Sequence, residues 1–189
     1  ILAAINRDSL KSSEAGVKYF VLGALSSGIL LYGCSLIYGF TGSTNFDDIQ
    51  IVLYEFEELN LGILFGLIFV LVGISVKISA VPFHMWVPDV YQGSPTSVTM
   101  FLSTVPKIAT IALLIRLLID GLGDLQHHWS DLLMIIAVLS IALGSLVALM
   151  QSNIKRMLAY VTISHIGFVL LGFVTGVVEG YGAAVFYIM

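Results

Sequence analysis

Two lysines, Lys77 and Lys107, sit inside long apolar runs, and each has a proline close by. Lys107 directly follows Pro106, halfway along a membrane-length run from Pro95 to Leu118. Lys77 closes a run that begins at Leu61 and reaches Pro82 five residues later. A charged side chain at a bilayer centre costs about 2.5–3.5 kcal/mol on insertion scales, so such residues mark an ion or proton path or hold a buried partner. Proline at 106 cannot donate to the carbonyl of Leu102, and its ring pushes that turn open. A carbonyl freed at bilayer depth needs a side chain, another helix or water as its new partner. An amine beside such an opening, in a low-dielectric setting, can give up and regain a proton reversibly. The alternative is a permanent ion pair with an acid on another helix.

Around Lys77 stand Gly73, Ser75 and Ser79, with Pro82 beyond, a pattern that weakens the helix. Broken helices at membrane depth are a recurrent device for ion sites. His84 lies seven residues after Lys77, on the same face if the helix were unbroken and about 10 Å further along. His165 sits mid-way along a later apolar run, with Thr162 on the same side. Histidine passes protons near neutral pH, although either ring would serve equally well as a hydrogen-bonded core residue. His127 and His128 adjoin Asp124 and Asp131 in a connection. Adjacent histidines point apart on most backbones, which favours a solvated loop over a metal site there. No acid stands well inside the apolar runs, so a carboxylate partner for either lysine must come from a loop, another subunit or chain beyond this segment.

These side chains need spans to carry them. The 189 residues are 58% hydrophobic and 11% charged, whereas soluble domains are about 45–50% apolar and about 25% charged. A span takes about 20 apolar residues, and windows near 18–40, 60–83, 96–119, 131–151 and 155–178 qualify. The predicted fold is all-α: a single polytopic transmembrane helix bundle over 1–189 with at least one discontinuous helix. Partial spans stand at both ends, and a chain that opens Ile1-Leu-Ala-Ala-Ile5 and closes Tyr187-Ile-Met189 reads as a segment of a longer subunit. Arg7, Lys11 and Lys18 precede the first window and Lys155 and Arg156 open the fifth, while the connections at 41–59 and 120–130 hold no Lys or Arg. The basic sites therefore share one side, cytoplasm or matrix, opposite Asp47, Asp48, Glu55, Glu57 and Glu58. Arg116 is the exception, placed to snorkel at the far end of the third span. Lys155 and Arg156 read as interfacial anchors. Gly23 and Ser27, four apart in the first span, read as a close helix-packing face. Cys34 is the single cysteine, so no intramolecular disulfide forms. Phosphate loops, cluster-forming cysteine pairs and nucleophile constellations are absent from the sequence, which excludes nucleotide, flavin and iron–sulfur binding by any recognised motif, and nothing suggests nucleic acid.

The stretch Lys77-Ile-Ser-Ala-Val-Pro-Phe-His-Met-Trp-Val-Pro-Asp-Val-Tyr-Gln-Gly-Ser-Pro-Thr96 resembles the signature of the antiporter-like membrane subunits of respiratory complex I. Its Pro82-Phe-His-Met-Trp-Val-Pro-Asp89 core is common to that superfamily, including multisubunit cation/proton antiporters. Val90-Tyr-Gln-Gly-Ser-Pro95 is similar to one branch only, since the larger relatives tend to carry an Ala- and His-rich stretch there. Ser13 to Ala24 and Ile154 to Gly167 fit the same branch, so the resemblance covers the whole chain. It implies that Lys77 is the family's lysine in the discontinuous helix and Lys107 the central lysine of the next. His84 and His165 would lie along the same buried polar axis. It also implies a glutamate partner for Lys77 upstream of Ile1 and a distal lysine downstream of Met189.

The function expected on this basis is a proton-translocating membrane-arm subunit of NADH:quinone oxidoreductase, an enzyme subunit whose redox chemistry lies elsewhere. The chain would hold no cofactor. NADH, FMN, iron–sulfur clusters and quinone would sit in partner subunits, with other membrane-arm subunits and lipid as its neighbours. The membrane would be the mitochondrial inner or the bacterial cytoplasmic one. The alternatives are a subunit of an independent cation/proton antiporter and a purely structural membrane subunit with static ion pairs.

Overall fold

A computed structural model describes residues 2–6, 8–55 and 60–189. Arg7, Glu57 and Glu58, used above in the charge reading, lie outside the described residues. Among the described residues, eight α-helices follow in order: α1 Leu10–Thr41, α2 Phe46–Glu55, α3 Leu61–Ile78, α4 Val87–Gly93, α5 Thr96–Ile115, α6 Gln126–Leu149, α7 Ile154–Val174 and α8 Val178–Ile188. Five helical stretches, Leu10–Thr41, Leu61–Ile78, Thr96–Gly121, Gly123–Leu149 and Ile154–Val174, are long and apolar enough to cross a membrane. They correspond one to one with the expected windows. Large apolar side chains such as Phe20, Leu31, Leu146 and Leu149 stand exposed on their outer faces, as lipid-facing positions do. The chain is a multi-pass helical membrane protein.

Among the described residues the bundle has two close helix pairs, α1/α3 and α6/α7, with α5 packed against α3. In the pair α1/α3, a Cβ on Gly33 would fall 2.7 Å from the Val70 nitrogen, and one on Gly73 would fall 2.7 Å from the Leu30 Cβ. Ser26 donates to the Gly73 carbonyl across the same contact at 3.0 Å. In the pair α6/α7, a Cβ on Gly144 would fall 2.6 Å from the Ser164 nitrogen. Glycine lets the backbones approach where any side chain would separate them, which is how helices associate in lipid. At the expected packing face of Gly23 and Ser27, a Cβ on Gly23 would meet nothing within 4 Å among the described residues. The close contacts of α1 with α3 are at Ser26 and Gly33. Between the pairs lies the core, where Leu67 and Ile74 of α3, Ile111 and Leu114 of α5, Leu133 of α6 and Phe173 of α7 are buried.

The discontinuity falls where the sequence predicts it. Ser79 takes the left-handed conformation at φ 69°. Its N–H donates to the Val76 carbonyl, and the Ala80 N–H donates to the Ser75 carbonyl. That bond pair is the Schellman ending of a helix. Turns cover 81–86, with a cis Val81–Pro82 bond, and Pro88 stands in the first turn of α4, where its missing N–H costs nothing. Two tertiary bonds satisfy backbone groups near the break. The Val81 N–H donates to the Ser140 hydroxyl of α6 at 2.9 Å. The Trp86 indole N–H donates to the Val76 carbonyl at 2.9 Å.

Three elements depart from the sequence reading. The first span begins at Leu10 rather than near 18, because the Ser9 hydroxyl caps the Ser12 N–H. The fourth begins at Gln126, so His127 and His128 lie in the first turn of α6 and not in a loop. Both are exposed. The acid-rich connection contains α2, which buries Ile49 and Leu53 and starts with Asp47 and Asp48 in its first turn, where acids complement the helix dipole.

Candidate functional site

Helix α5 runs unbroken through Pro106. The Leu102 carbonyl, which Pro106 deprives of its helical donor, accepts instead from the Tyr91 hydroxyl of α4 at 3.3 Å. One turn along, the Thr110 hydroxyl donates to the Pro106 carbonyl at 2.7 Å. Next to this repaired turn, Lys107 is 2% exposed. Its Nζ has no hydrogen-bond partner among the described residues and stands over the Tyr91 ring, 5.8 Å from the centroid.

Two cavities flank α5. The first, of about 330 Å³, is lined by Lys77 together with Tyr19, Ser26, Trp86, Pro106 and Thr110. The second, of about 440 Å³, is lined by Lys107 with Ser103, Thr104, Thr162, His165 and Tyr187. Helix α5 gives Leu102, Pro106, Ala109 and Thr110 to one and Ser103, Thr104, Lys107 and Ile108 to the other, so it is the wall between them. Each cavity has space for on the order of ten waters at about 30 Å³ apiece.

The four expected residues are brought together only in part. Lys107 and His165 share a cavity, and His165 Nδ1 lies 2.7 Å from the Tyr187 hydroxyl of α8. Lys77 is half-buried at the last turn of α3 and forms no ion pair among the described residues. His84 joins neither cavity lining. The chain turns at Ser79, so the face shared with Lys77 on an unbroken helix does not exist. Its ring sits 6.3 Å from that of Tyr160 in α7, and its Nδ1 is shielded without a hydrogen-bond partner.

Sequence reasoning missed an ionic clamp at the end of the bundle where α1, α4 and α7 meet. Asp89 of α4 accepts from Lys18 of α1 through Oδ2 and from Arg156 of α7 through Oδ1. Arg156 also donates to Gln92 at 3.3 Å, and Lys155 donates to the Ser94 carbonyl at 2.9 Å. Burial alone would raise the Asp89 carboxyl, but the hydrogen bonds from Lys18 and Arg156 outweigh it and hold the group below the usual carboxylate range. Lys18, Lys155 and Arg156 thus share one end of the bundle, as the charge reading expects. Lys155 and Arg156 are more than anchors, because they fix α4 against α7. Arg116 is exposed and pairs with Asp120 at 3.2 Å. Among the described residues, no cluster of His, Cys, Asp or Glu is arranged to hold a metal.

The family model described as NADH:quinone oxidoreductase/Mrp antiporter, TM, matches residues 1–189. The chain belongs to this family. Among its relatives, NADH-quinone oxidoreductase subunit N of Ruthia magnifica subsp. Calyptogena magnifica is 60% identical over 191 residues, covering 100% of this chain and 40% of that protein. A chain of respiratory complex I from Thermus thermophilus superposes with a TM-score of 0.78 at 36% identity, over 98% of this chain and 38% of its own length. A chain of the Mrp complex from Dietzia sp. DQ12-45-1b gives 0.85 at 25% identity, over 95% and 33%. The chain therefore spans about 40% of the length of the curated relatives it matches.

Proposed function

We propose that this chain is part of a proton-translocating membrane-arm subunit of NADH:quinone oxidoreductase. Protons move along an axis of Lys77, Lys107 and His165, with His84 as a further exchanging group near the break. The observation that carries the reading is the Lys107 amine, buried beside a proline-opened turn and sharing a polar-lined cavity with His165 while Lys77 lines the cavity across α5. Lys77 changes protonation as a carboxylate from outside this segment approaches or leaves it. When Lys77 gives up its proton, Lys107 takes one up, because two like charges across one helix raise each other's energy in a low-dielectric interior. Hydrated cavity space then passes the proton toward His165 and Tyr187.

NADH, FMN, iron–sulfur clusters and quinone belong to partner subunits, and this chain supplies no cofactor ligand. Its neighbours are the other membrane-arm subunits and lipid, and it does not engage nucleic acid. The bacterial relatives favour the bacterial cytoplasmic membrane as its location.

A second reading, a subunit of an independent cation/proton antiporter, is favoured by the TM-score of 0.85 to the Mrp chain. The shared fold accounts for that score, and 60% identity to a subunit N supports the oxidoreductase reading. Affinity purification of the full-length protein from its native membrane decides between them. Co-purification with flavin and iron–sulfur subunits and NADH-driven proton translocation supports the oxidoreductase. Cation/proton exchange from a preparation without NADH oxidation would replace it with the antiporter.

A further inference from the structure

We infer that Tyr91 is the positioning residue for the Lys107 amine: its hydroxyl fixes the α5 turn that Pro106 opens, and its ring face holds the ammonium where no carboxylate does. The inference rests on the reading that Lys107 exchanges protons, and it adds the group that sets where and how readily.

Tyr91 is 2% exposed and fastened from several directions. Its hydroxyl donates to the Leu102 carbonyl, and its own carbonyl accepts from the Thr99 hydroxyl at 3.2 Å. Trp86 packs edge-on against the ring at 6.4 Å between centroids. Two residues earlier, Asp89 ties the same helix to α1 and α7. The ring is therefore a rigid surface, and a cation within about 6 Å of a ring centroid is attracted by the ring quadrupole, most strongly when both are desolvated. Lys107 Nζ meets that distance at 5.8 Å. The groups facing Lys107 across its cavity are Thr162 and His165 from α7, Tyr187 from α8, and Ser103 and Thr104 from its own helix. None is a carboxylate. Burial pushes the Tyr91 phenol further above its ordinary value, so the partner is a neutral ring at every physiological pH.

The test uses the assembled complex in proteoliposomes and reads the proton-to-electron ratio against pH. Tyr91→Phe is compared with trifluorophenylalanine at position 91, which keeps the ring shape and removes its negative face. Losing the quadrupole disfavours the ammonium form, so Lys107 gives up its proton at lower pH. The alkaline half-point of the ratio should fall by about one pH unit from the phenylalanine to the fluorinated variant, equivalent to about 1.4 kcal/mol. A residue that only packs would give coincident profiles, since the two rings are nearly isosteric, and coincidence overturns the inference. Lys107→Met separates the layers. If it abolishes pumping while the two profiles coincide, only the role of Tyr91 falls. If it leaves pumping intact, the proton-exchange reading falls and the role of Tyr91 with it.

Discussion

Replacing Asp89 by Asn should loosen the contact among α1, α4 and α7, with an asymmetry that the geometry sets in advance. The carboxylate bridges Lys18 and Arg156, but the two cations are not equally dependent on it. Lys18 keeps a second carboxylate, Glu14, at 2.6 Å. Arg156 has no second carboxylate among the described residues and keeps the neutral Gln92 oxygen at 3.3 Å and the neighbouring Tyr160. Unit charges about 4 Å apart attract by about 4 kcal/mol at an effective dielectric near 20. Asp89 and Arg156 are 27% and 31% exposed, so screening and desolvation reduce the net contribution to about 1–2 kcal/mol, between an exposed pair and a fully buried one. If the helix contact opens before heat inactivation, about 1.4 kcal/mol corresponds to a tenfold change in rate. Asp89→Asn should therefore speed heat inactivation of the assembled complex roughly tenfold. In double-mutant cycles, coupling to Arg156→Gln should reach about 1–2 kcal/mol, and coupling to Lys18→Gln should be smaller. The carboxyl is held below its unfolded value of about 3.9, so the clamp's contribution is complete above that pH and is lost as pH falls through the lower, folded value. The effect of the substitution should thus be equal at mildly acidic and mildly alkaline pH. Additive effects at 89 and 156, or a larger coupling to Lys18, would refute the clamp as described.

Two further substitutions probe the frame that positions the lysines. Gly144→Ala puts a Cβ 2.6 Å from the Ser164 nitrogen and 2.9 Å from the Tyr160 oxygen, so α6 and α7 must separate. Native gels should show sharply reduced assembly, while Gly23→Ala, with nothing within 4 Å, assembles normally. Ser140→Ala strands the buried Val81 N–H at the helix break. An unsatisfied buried donor costs about 1–3 kcal/mol, so the complex should inactivate at a measurably lower temperature, and Ser140→Thr should restore it.

Much of this architecture is legible in the residues themselves. Apolar length locates all five spans, and Ser79 with Pro82 locates the break, because both signals are local. Boundaries suffered where caps and polar turns extend helices beyond the apolar core, as Ser9 does for α1. Helix α2 escaped because its ten residues fall well short of a span, although Phe46, Ile49 and Leu53 at i, i+3 and i+7 carry an amphipathic signal. The site divides along the same line. Pro106 next to Lys107 announces a freed carbonyl and a costly amine, yet the partner that answers both, Tyr91, is eleven residues from Leu102 and reaches it only because the chain reverses at Gly93–Pro95. Asp89 was equally silent, since its partners lie 71 and 67 residues away. His84 shows the reverse error, a helical-face argument carried across a position where the helix stops.

The central claim is that the Lys107 amine takes part in moving protons. It is tested most directly by the proton-to-electron ratio of the assembled complex carrying Lys107→Met, a change that keeps the length of the side chain and removes its charge. The account predicts continued NADH oxidation with the ratio sharply reduced. An undiminished ratio in a fully assembled complex would contradict it.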